Sequence, residues 1–388
     1  MTVDGGPKLP ASKLPRVGTT IFTVMSGLAA EHGALNLSQG FPDFDGPRAL
    51  RERVSHYLND GRNQYAPMTG VPALREAIAS KVAALYGRTT HPDTEVTVTS
   101  GGTEALFCAI QAVVRPGDEV IIFDPAYDSY EPAVELAGGR CVRLPLPAPG
   151  YRPDWNAVAD ALSDRTRLII LNSPHNPTGS VLTASDLDAL ETLLQGRDTL
   201  LLADEVYEHI IFDGAEHQSL LRRPALSERA FVVSSFGKTY HVTGWKIGYC
   251  VAPEALSAEF RKVHQYVTFA SITPVQLALA DFLADHPEHH LDLPDFYQRK
   301  RDRFCALLAD SRFTLTPAAG TYFQLLDYTA ISDETDVELA RRLTIEHGIA
   351  SIPVSVFYQS PPPDRVLRFC FAKDDATLLR AAEVLCAI

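Results

Sequence analysis

The chain has 388 residues, 46% hydrophobic and 21% charged, which is the composition of a soluble globular protein with room for two or three domains, or one large and one small. Its formal net charge of -13 argues against a general nucleic-acid binder, which needs a basic face. No run approaches the roughly 18 consecutive apolar residues of a membrane-crossing helix, so no transmembrane segment is expected.

Residues 1–46 are rich in proline and glycine, with one apolar piece at Ile21–Leu28 and no apolar leader in Met1–Arg16. This segment reads as an arm that packs on something else, and Asn36–Phe44 within it as a short strand entering a Gly/Pro turn. Leu74, Ile78, Val82 and Leu85 fall at helical spacing, so the spacing predicts a helix over Pro72–Gly87. Strands are expected at Glu95–Thr99, Glu119–Phe123, Leu168–Leu171, Leu200–Ala203, Phe231–Val233 and Tyr249–Val251. Helices at Ala105–Val114, Tyr130–Ala137 and Ala184–Leu194 lie between them. This alternation predicts an α/β fold with a mainly parallel sheet covered on both faces. A domain boundary is placed near Asp285, giving a large domain over 47–285 and a smaller α+β domain over 286–388. In the latter, helices are expected at Asp295–Leu308, Asp336–His347 and Asp374–Cys386. Strands are expected at Phe313–Leu315, Thr321–Leu326, Ile349–Ile352 and Val366–Ala372. The six scattered cysteines show no CxxC spacing and read as buried, reduced thiols of a cytoplasmic protein.

In open α/β sheets ligands bind at the carboxyl ends of strands. Several polar residues fall at such ends. Gly101-Gly102-Thr103 lies between a strand and a helix. It reads either as a structural turn or as a phosphate cradle built on a helix N-terminus. Asp204 ends a buried strand and reads either as a cap or ion-pair member, or as the partner of a protonated ring nitrogen. Asn176, in Asn176-Pro177-Thr178-Gly179, either bonds its own backbone or donates to a ligand oxygen; His175 beside it reads as structural. Lys238 sits on a short connection between two buried strands. A lysine there is costly unless neutralised, and a neutral lysine is a nucleophile for carbonyl carbon. Arg368, inside the apolar strand Val366–Phe371, needs an anion, whether a structural acid or a substrate carboxylate. His286, His289 and His290 have poor spacing for a metal site, and no GxSxG elbow supports a hydrolase.

The order Gly101-Gly102-Thr103, Asn176-Pro177-Thr178-Gly179, Asp204-Glu205-Val206-Tyr207, Ser234-Ser235-Phe236-Gly237-Lys238 and Arg368-Phe369-Cys370-Phe371-Ala372-Lys373 resembles that of the class I, fold-type I pyridoxal-phosphate-dependent aminotransferases. The likeness runs from Leu35 to the C-terminus. Gln39–Phe44, Asn63–Gly70 and Lys262–Tyr266 resemble the methionine aminotransferase and kynurenine aminotransferase branch in particular. The resemblance implies that Lys238 is the Schiff-base lysine and then the base for the Cα proton. It implies that Asp204 pairs with the pyridinium, that Asn176 and Tyr207 bond the phenolate oxygen, and that Tyr127 stacks on the ring. Gly101, Gly102, Thr103, Ser235 and Lys246 would hold the phosphate, with Tyr65 supplied by the second subunit of a homodimer. Arg368, Asn176 and the Gly40 backbone would take the substrate carboxylate. Many class I members have arginine where this chain has Lys246; lysine is usual in the kynurenine-like branch.

The implied reaction is a ping-pong transfer of an amino group to a 2-oxo acid, with no metal. Phe22 and Phe357, with Tyr65 and Tyr127, are candidates for an apolar side-chain pocket. Such a pocket suits methionine, phenylalanine, tyrosine, leucine or kynurenine better than aspartate. A cysteine-conjugate carbon–sulfur β-lyase on the same scaffold is the alternative.

Overall fold

The computed structural model describes residues 10–388; residues 1–9 of the expected arm lie outside the described residues. The strands, in chain order, are β1 (Leu35–Asn36), β2 (Val96–Thr99), β3 (Glu119–Asp124), β4 (Arg140–Pro145), β5 (Thr166–Asn172) and β6 (Leu200–Asp204). They continue with β7 (Ala230–Ser235), β8 (Gly248–Val251), β9 (Phe323–Asp327), β10 (Ile349–Ala350), β11 (Ile352–Pro353) and β12 (Val366–Cys370). Seven of them form one sheet in the order β2-β8-β7-β6-β5-β3-β4. Pairing is parallel from β4 through β7, and β8 runs antiparallel to both its neighbours. All six residues of β3 are buried, as expected of strands whose unbroken apolar runs are covered by helices on both faces.

Register places the polar strand ends side by side. Asn172 is opposite Asp204, Asp204 opposite Val233, Ser235 opposite Gly248, and Gly248 opposite Thr99. A Cβ on Gly248 would stand 2.6 Å from the Ser234 carbonyl oxygen and 3.1 Å from the Gly101 carbonyl carbon, so only glycine lets the backbones approach this closely.

The second core gathers β11-β12-β9, an antiparallel sheet, with the helices Leu293–Leu307, Asp336–Glu346 and Asp375–Cys386. Met25 and Leu37 of the N-terminal segment join this core. The helix Ile21–His32 packs on Asp336–Glu346, and β1 pairs with β10. Asp374 caps the last helix by accepting from the Thr377 N–H at 2.7 Å.

The structure departs from the periodicity reading in several places. Phe313–Leu315 is not a strand and makes only a bridge between Thr314 and Asp327. Ile349–Ile352 is two short strands, because β10 pairs with β1 while β11 pairs with β12. The helix expected from Ala105 starts at Gly101, so the Gly-Gly-Thr triplet is its first turn. The strand β4 was not anticipated; it forms the sheet edge, and its half-exposed, Arg-containing pattern lacks an apolar run. Cys386 is exposed rather than buried.

Candidate active site

The carboxyl ends of the parallel strands open onto a cavity of ≈ 180 Å³. It is lined by five segments. The helix N-terminus contributes Gly101, Gly102 and Thr103; the loop after β3 contributes Tyr127; the turn after β5 contributes Asn176. Asp204 and Tyr207 come from the end of β6, and Ser235, Lys238 and Lys246 from the β7–β8 connection. Lys238 sits on the single helical turn Phe236–Thr239.

Lys238 is half-buried. Its ammonium donates to the Gly40 carbonyl at 3.0 Å and lies 5.5 Å from the Tyr207 ring and 5.6 Å from the Tyr322 ring. Burial pulls its pKa down from the usual lysine range to about 8. The Asp204 carboxyl is buried and accepts a hydrogen bond from the Tyr130 hydroxyl at 2.6 Å; burial pushes its pKa up to about 6. A buried acid with no basic ion-pair partner among the described residues is poised to take a cationic group brought in from outside. Arg368 is 1% exposed and has no carboxylate partner among the described residues. It donates to Asn176 Oδ1 at 2.7 Å and to the Ser38 carbonyl at 2.8 Å, its Nε finds no acceptor, and its face lies 3.9 Å over the Phe323 ring. Burial lowers its pKa to about 10.

The Asn-Pro-Thr-Gly turn is held by a neighbour rather than by itself. Asn172 accepts from the Asn176 N–H at 2.8 Å and donates to the Asp204 carbonyl at 2.8 Å, which leaves the Asn176 side chain to Arg368. His175 bonds Thr178 at 2.7 Å, and burial lowers its pKa to about 4, so it is a neutral brace. Gly40 meets Lys238 through its carbonyl. Phe22 packs over Arg368 at 5.2 Å and against Phe357 at 5.7 Å, outside the cavity wall. Tyr65 is not brought to this cavity: it is 86% exposed and packs edge-on against Phe269. Residues that sequence reasoning missed are Tyr130, Asn172, Ser38, Phe323 and Tyr322, whose hydroxyl donates to the Gly40 carbonyl. Asn172 and Ser38 lie in the stretches that carry Asn176 and Gly40, whereas Tyr130, Phe323 and Tyr322 lie in no motif with a readable spacing.

These donors fit a phosphorylated pyridine. Free N–H groups of the first helical turn form an anion site, with Gly101 at φ +77 opening it. Lys246 reaches the same end, its Cε 3.4 Å from where a Gly101 Cβ would stand, and it has no acidic partner among the described ion pairs. Asp204 is the one carboxylate among the described residues lining the cavity, and would suit a protonated ring nitrogen. Its raised pKa has a consequence for the protein without cofactor. The folded state keeps the acid protonated where the unfolded chain ionises it, so the group costs stability as pH rises from about 4 through about 6. Asp204→Asn is therefore expected to stabilise the cofactor-free protein by on the order of 3 kcal/mol at pH 8 and by almost nothing at pH 4. Denaturant melts at the two pH values check this; an equal effect at both would refute it.

The family model "Aminotransferase class I and II" matches residues 33–385. The chain is 58% identical over 383 residues to methionine aminotransferase from Escherichia coli (strain K12), covering 99% of each chain. The crystal structure of YbdL from Escherichia coli, identified there with a methionine aminotransferase function, superposes with a TM-score of 0.96 at 57% identity, over 98% of this chain and 100% of that one. Kynurenine–oxoglutarate transaminase 3 of Mus musculus is 35% identical, covering 96% of this chain and 89% of its own.

Proposed function

The chain belongs to the class I and II aminotransferases, and from that premise we propose which residues carry the reaction and which amino acids it takes. It is a pyridoxal-phosphate-dependent aminotransferase of fold type I, moving an amino group from an amino acid to a 2-oxo acid. The observation that carries our assignment of residues is Arg368, a buried cation with no carboxylate partner among the described residues, bonded to Asn176 in the wall of the cavity that holds a lysine at about 8.

Lys238 would hold the cofactor covalently, Asp204 its ring nitrogen, Tyr127 its ring face, and Asn176 and Tyr207 its ring oxygen. Gly101, Gly102, Thr103, Ser235 and Lys246 would hold its phosphate. Bound there, pyridoxal phosphate supplies an electron-withdrawing ring that stabilises negative charge on the substrate Cα. Arg368 and Asn176 grip the substrate carboxylate and so fix the direction of the Cα–H bond. Lys238 then takes that proton; an amine near pKa 8 is neutral in a useful fraction at neutral pH and remains basic enough to abstract it. Tyr130 keeps Asp204 oriented, and Tyr322 keeps the Gly40 carbonyl in place beside the Lys238 amine.

We assign methionine as the favoured donor, with phenylalanine, tyrosine, leucine and kynurenine as further substrates. This rests on the Phe22–Phe357 pair beside Arg368 and on the 58% identity to a methionine aminotransferase. The expected result of a donor screen with one 2-oxo acid is a kcat/KM for methionine about 100-fold above that for aspartate. Aspartate as the better donor would overturn the substrate assignment, while absence of a visible absorbance band on adding pyridoxal phosphate would overturn the residue roles.

The same proposal includes a homodimer. Tyr65 and Tyr266 are each 86% exposed and Tyr65 packs on the exposed Phe269; a second copy would cover this surface so that Tyr65 reaches the partner's phosphate site. It also includes the division into an arm (1–46), a cofactor-binding domain (47–285) and a small domain (286–388). Cytoplasmic location agrees with six free cysteines.

A further inference from the structure

His264 has no part in the reaction described above, yet it is one of the most completely buried polar side chains, at 0% exposure. It lies in the last turn of the helix Glu254–Val267. Its Nδ1 stands 2.8 Å from Glu104 Oε1 and its Nε2 3.0 Å from the Met68 carbonyl oxygen. The Met68 carbonyl only accepts. Glu104 also receives the Cys108 S–H at 2.8 Å and, through Oε2, the Ser100 N–H at 3.0 Å, contacts that suit a carboxylate. Facing a carboxylate on one side and a carbonyl on the other, the imidazole satisfies both by donating from both nitrogens, as the cationic half of a buried ion pair. Neither ring nitrogen is then free to ligate a metal.

What the pair joins is informative. Glu104 is in the first turn of the helix Gly101–Val113, whose N–H groups form the anion site, and its contact to Ser100 holds the residue that caps that helix. A lone carboxylate there would repel a phosphate at the same helix end; His264 offsets its charge. On the other side, Met68 is three residues beyond Tyr65. The His264 backbone carbonyl also accepts from the Phe269 N–H at 3.1 Å, which holds Phe269 at φ 68 with its ring 5.4 Å from Tyr65, edge-on. One side chain and its own carbonyl thus fix both the chain that carries Tyr65 and the ring that Tyr65 leans on.

We propose that the Glu104–His264 pair is a positioning device that locks the Tyr65 segment (63–70) to the phosphate-binding end of the helix Gly101–Val113. Each subunit's own cradle and the tyrosine it lends to its partner are thereby held as one body. The inference rests on the reading of Tyr65 as a residue of the partner's site. Glu104 and His264 are positioning residues and touch neither substrate nor cofactor.

The test uses the holoenzyme dimer and four variants: His264→Gln, Glu104→Gln, Tyr65→Phe and the double variant His264→Gln/Tyr65→Phe. Gln at 264 keeps a donor for one acceptor but not both. Gln at 104 removes the charge without changing size, and serves if the first variant folds poorly. Amide hydrogen exchange over 63–70 is expected to quicken about tenfold in each of the first two, the loss of one charged hydrogen bond. Cofactor dissociation, followed by absorbance after dilution into a scavenger, is expected to quicken about tenfold in His264→Gln and in Tyr65→Phe. In the double variant it should be no faster than in the quicker single one, because both changes remove the same contact. A merely structural histidine would give losses that multiply. Multiplying losses, or unchanged exchange over 63–70 in both single variants, overturns the proposal alone. A Tyr65→Phe enzyme that holds its cofactor like the parent overturns the reading of Tyr65 and the proposal with it.

Discussion

Lys238→Ala is expected to abolish transamination, with kcat lowered by about four orders of magnitude or more. Two separate contributions disappear together, the covalent hold on the cofactor and the base that moves the Cα proton, and no other side chain stands in for either. Of the other buried amines among the described residues, Lys81 is committed to Glu208 at 2.7 Å and Lys373 to the Phe41 carbonyl at 2.9 Å, and Lys246 lies at the helix end. Lys238→Arg should be as inactive as alanine, since a guanidinium stays protonated and cannot accept the proton. The same substitution to alanine should make the cofactor-free protein more stable. Burial lowers the lysine to about 8, so below that pH the folded state holds a desolvated ammonium that the unfolded chain leaves in water. This cost is full below pH 8 and fades as pH rises toward the ordinary lysine range, so the gain from Lys238→Ala should shrink along the same interval. Steady-state rates with methionine and melts at pH 7 and pH 10 measure both. Turnover within tenfold of the parent would remove Lys238 from the reaction.

The strand ends were legible in the sequence because parallel strands are buried on both faces and read as unbroken apolar runs, so any polar residue closing one stands out. Asp204 after Leu200–Ala203 and Lys238 after Phe231–Val233 are visible for that reason alone. Lys238 and Arg368 stand out further because a charge in an apolar run conflicts with local preference, and such conflicts concentrate at sites. What the sequence did not disclose is held by tertiary geometry. Tyr130 supports Asp204 from 74 residues away and Tyr322 reaches Gly40 across 282, both as ordinary core aromatics in a chain with many. Glu104 and His264 each looked unremarkable on an amphipathic helix; only the packing of Gly101–Val113 on Glu254–Val267 makes them a pair. The edge strand β4 escaped for the opposite reason, since one exposed edge relaxes the demand for apolar residues that made its neighbours visible.

Arg368→Met should separate function from stability most sharply. The guanidinium is the only group assigned to the substrate carboxylate with a full charge, and truncating one side of a desolvated, hydrogen-bonded charge pair costs about 2–5 kcal/mol, so kcat/KM for methionine should fall by about a hundredfold to a thousandfold. Against that loss stands what the arginine costs the fold. It is 1% exposed, its Nε has no acceptor and it has no carboxylate partner among the described residues, which is why burial alone draws its pKa down to about 10. Methionine fills similar space over the Phe323 ring and removes the desolvated cation. Two acceptors lose their donor. Asn176 Oδ1 lines the cavity and can turn to water, whereas the Ser38 carbonyl, in a residue that is 0% exposed, is left unsatisfied at about 1–3 kcal/mol. The lowering of Arg368 to about 10 corresponds to a burial cost of roughly 3 kcal/mol, so the balance favours the variant by about 0–2 kcal/mol. Arg368→Lys keeps a charge but loses the fork, and should lose most of the activity without gaining the stability. A methionine variant that melts below the parent would mean that Arg368 is paired in the folded protein in a way that repays its burial, and that the substrate carboxylate is held elsewhere.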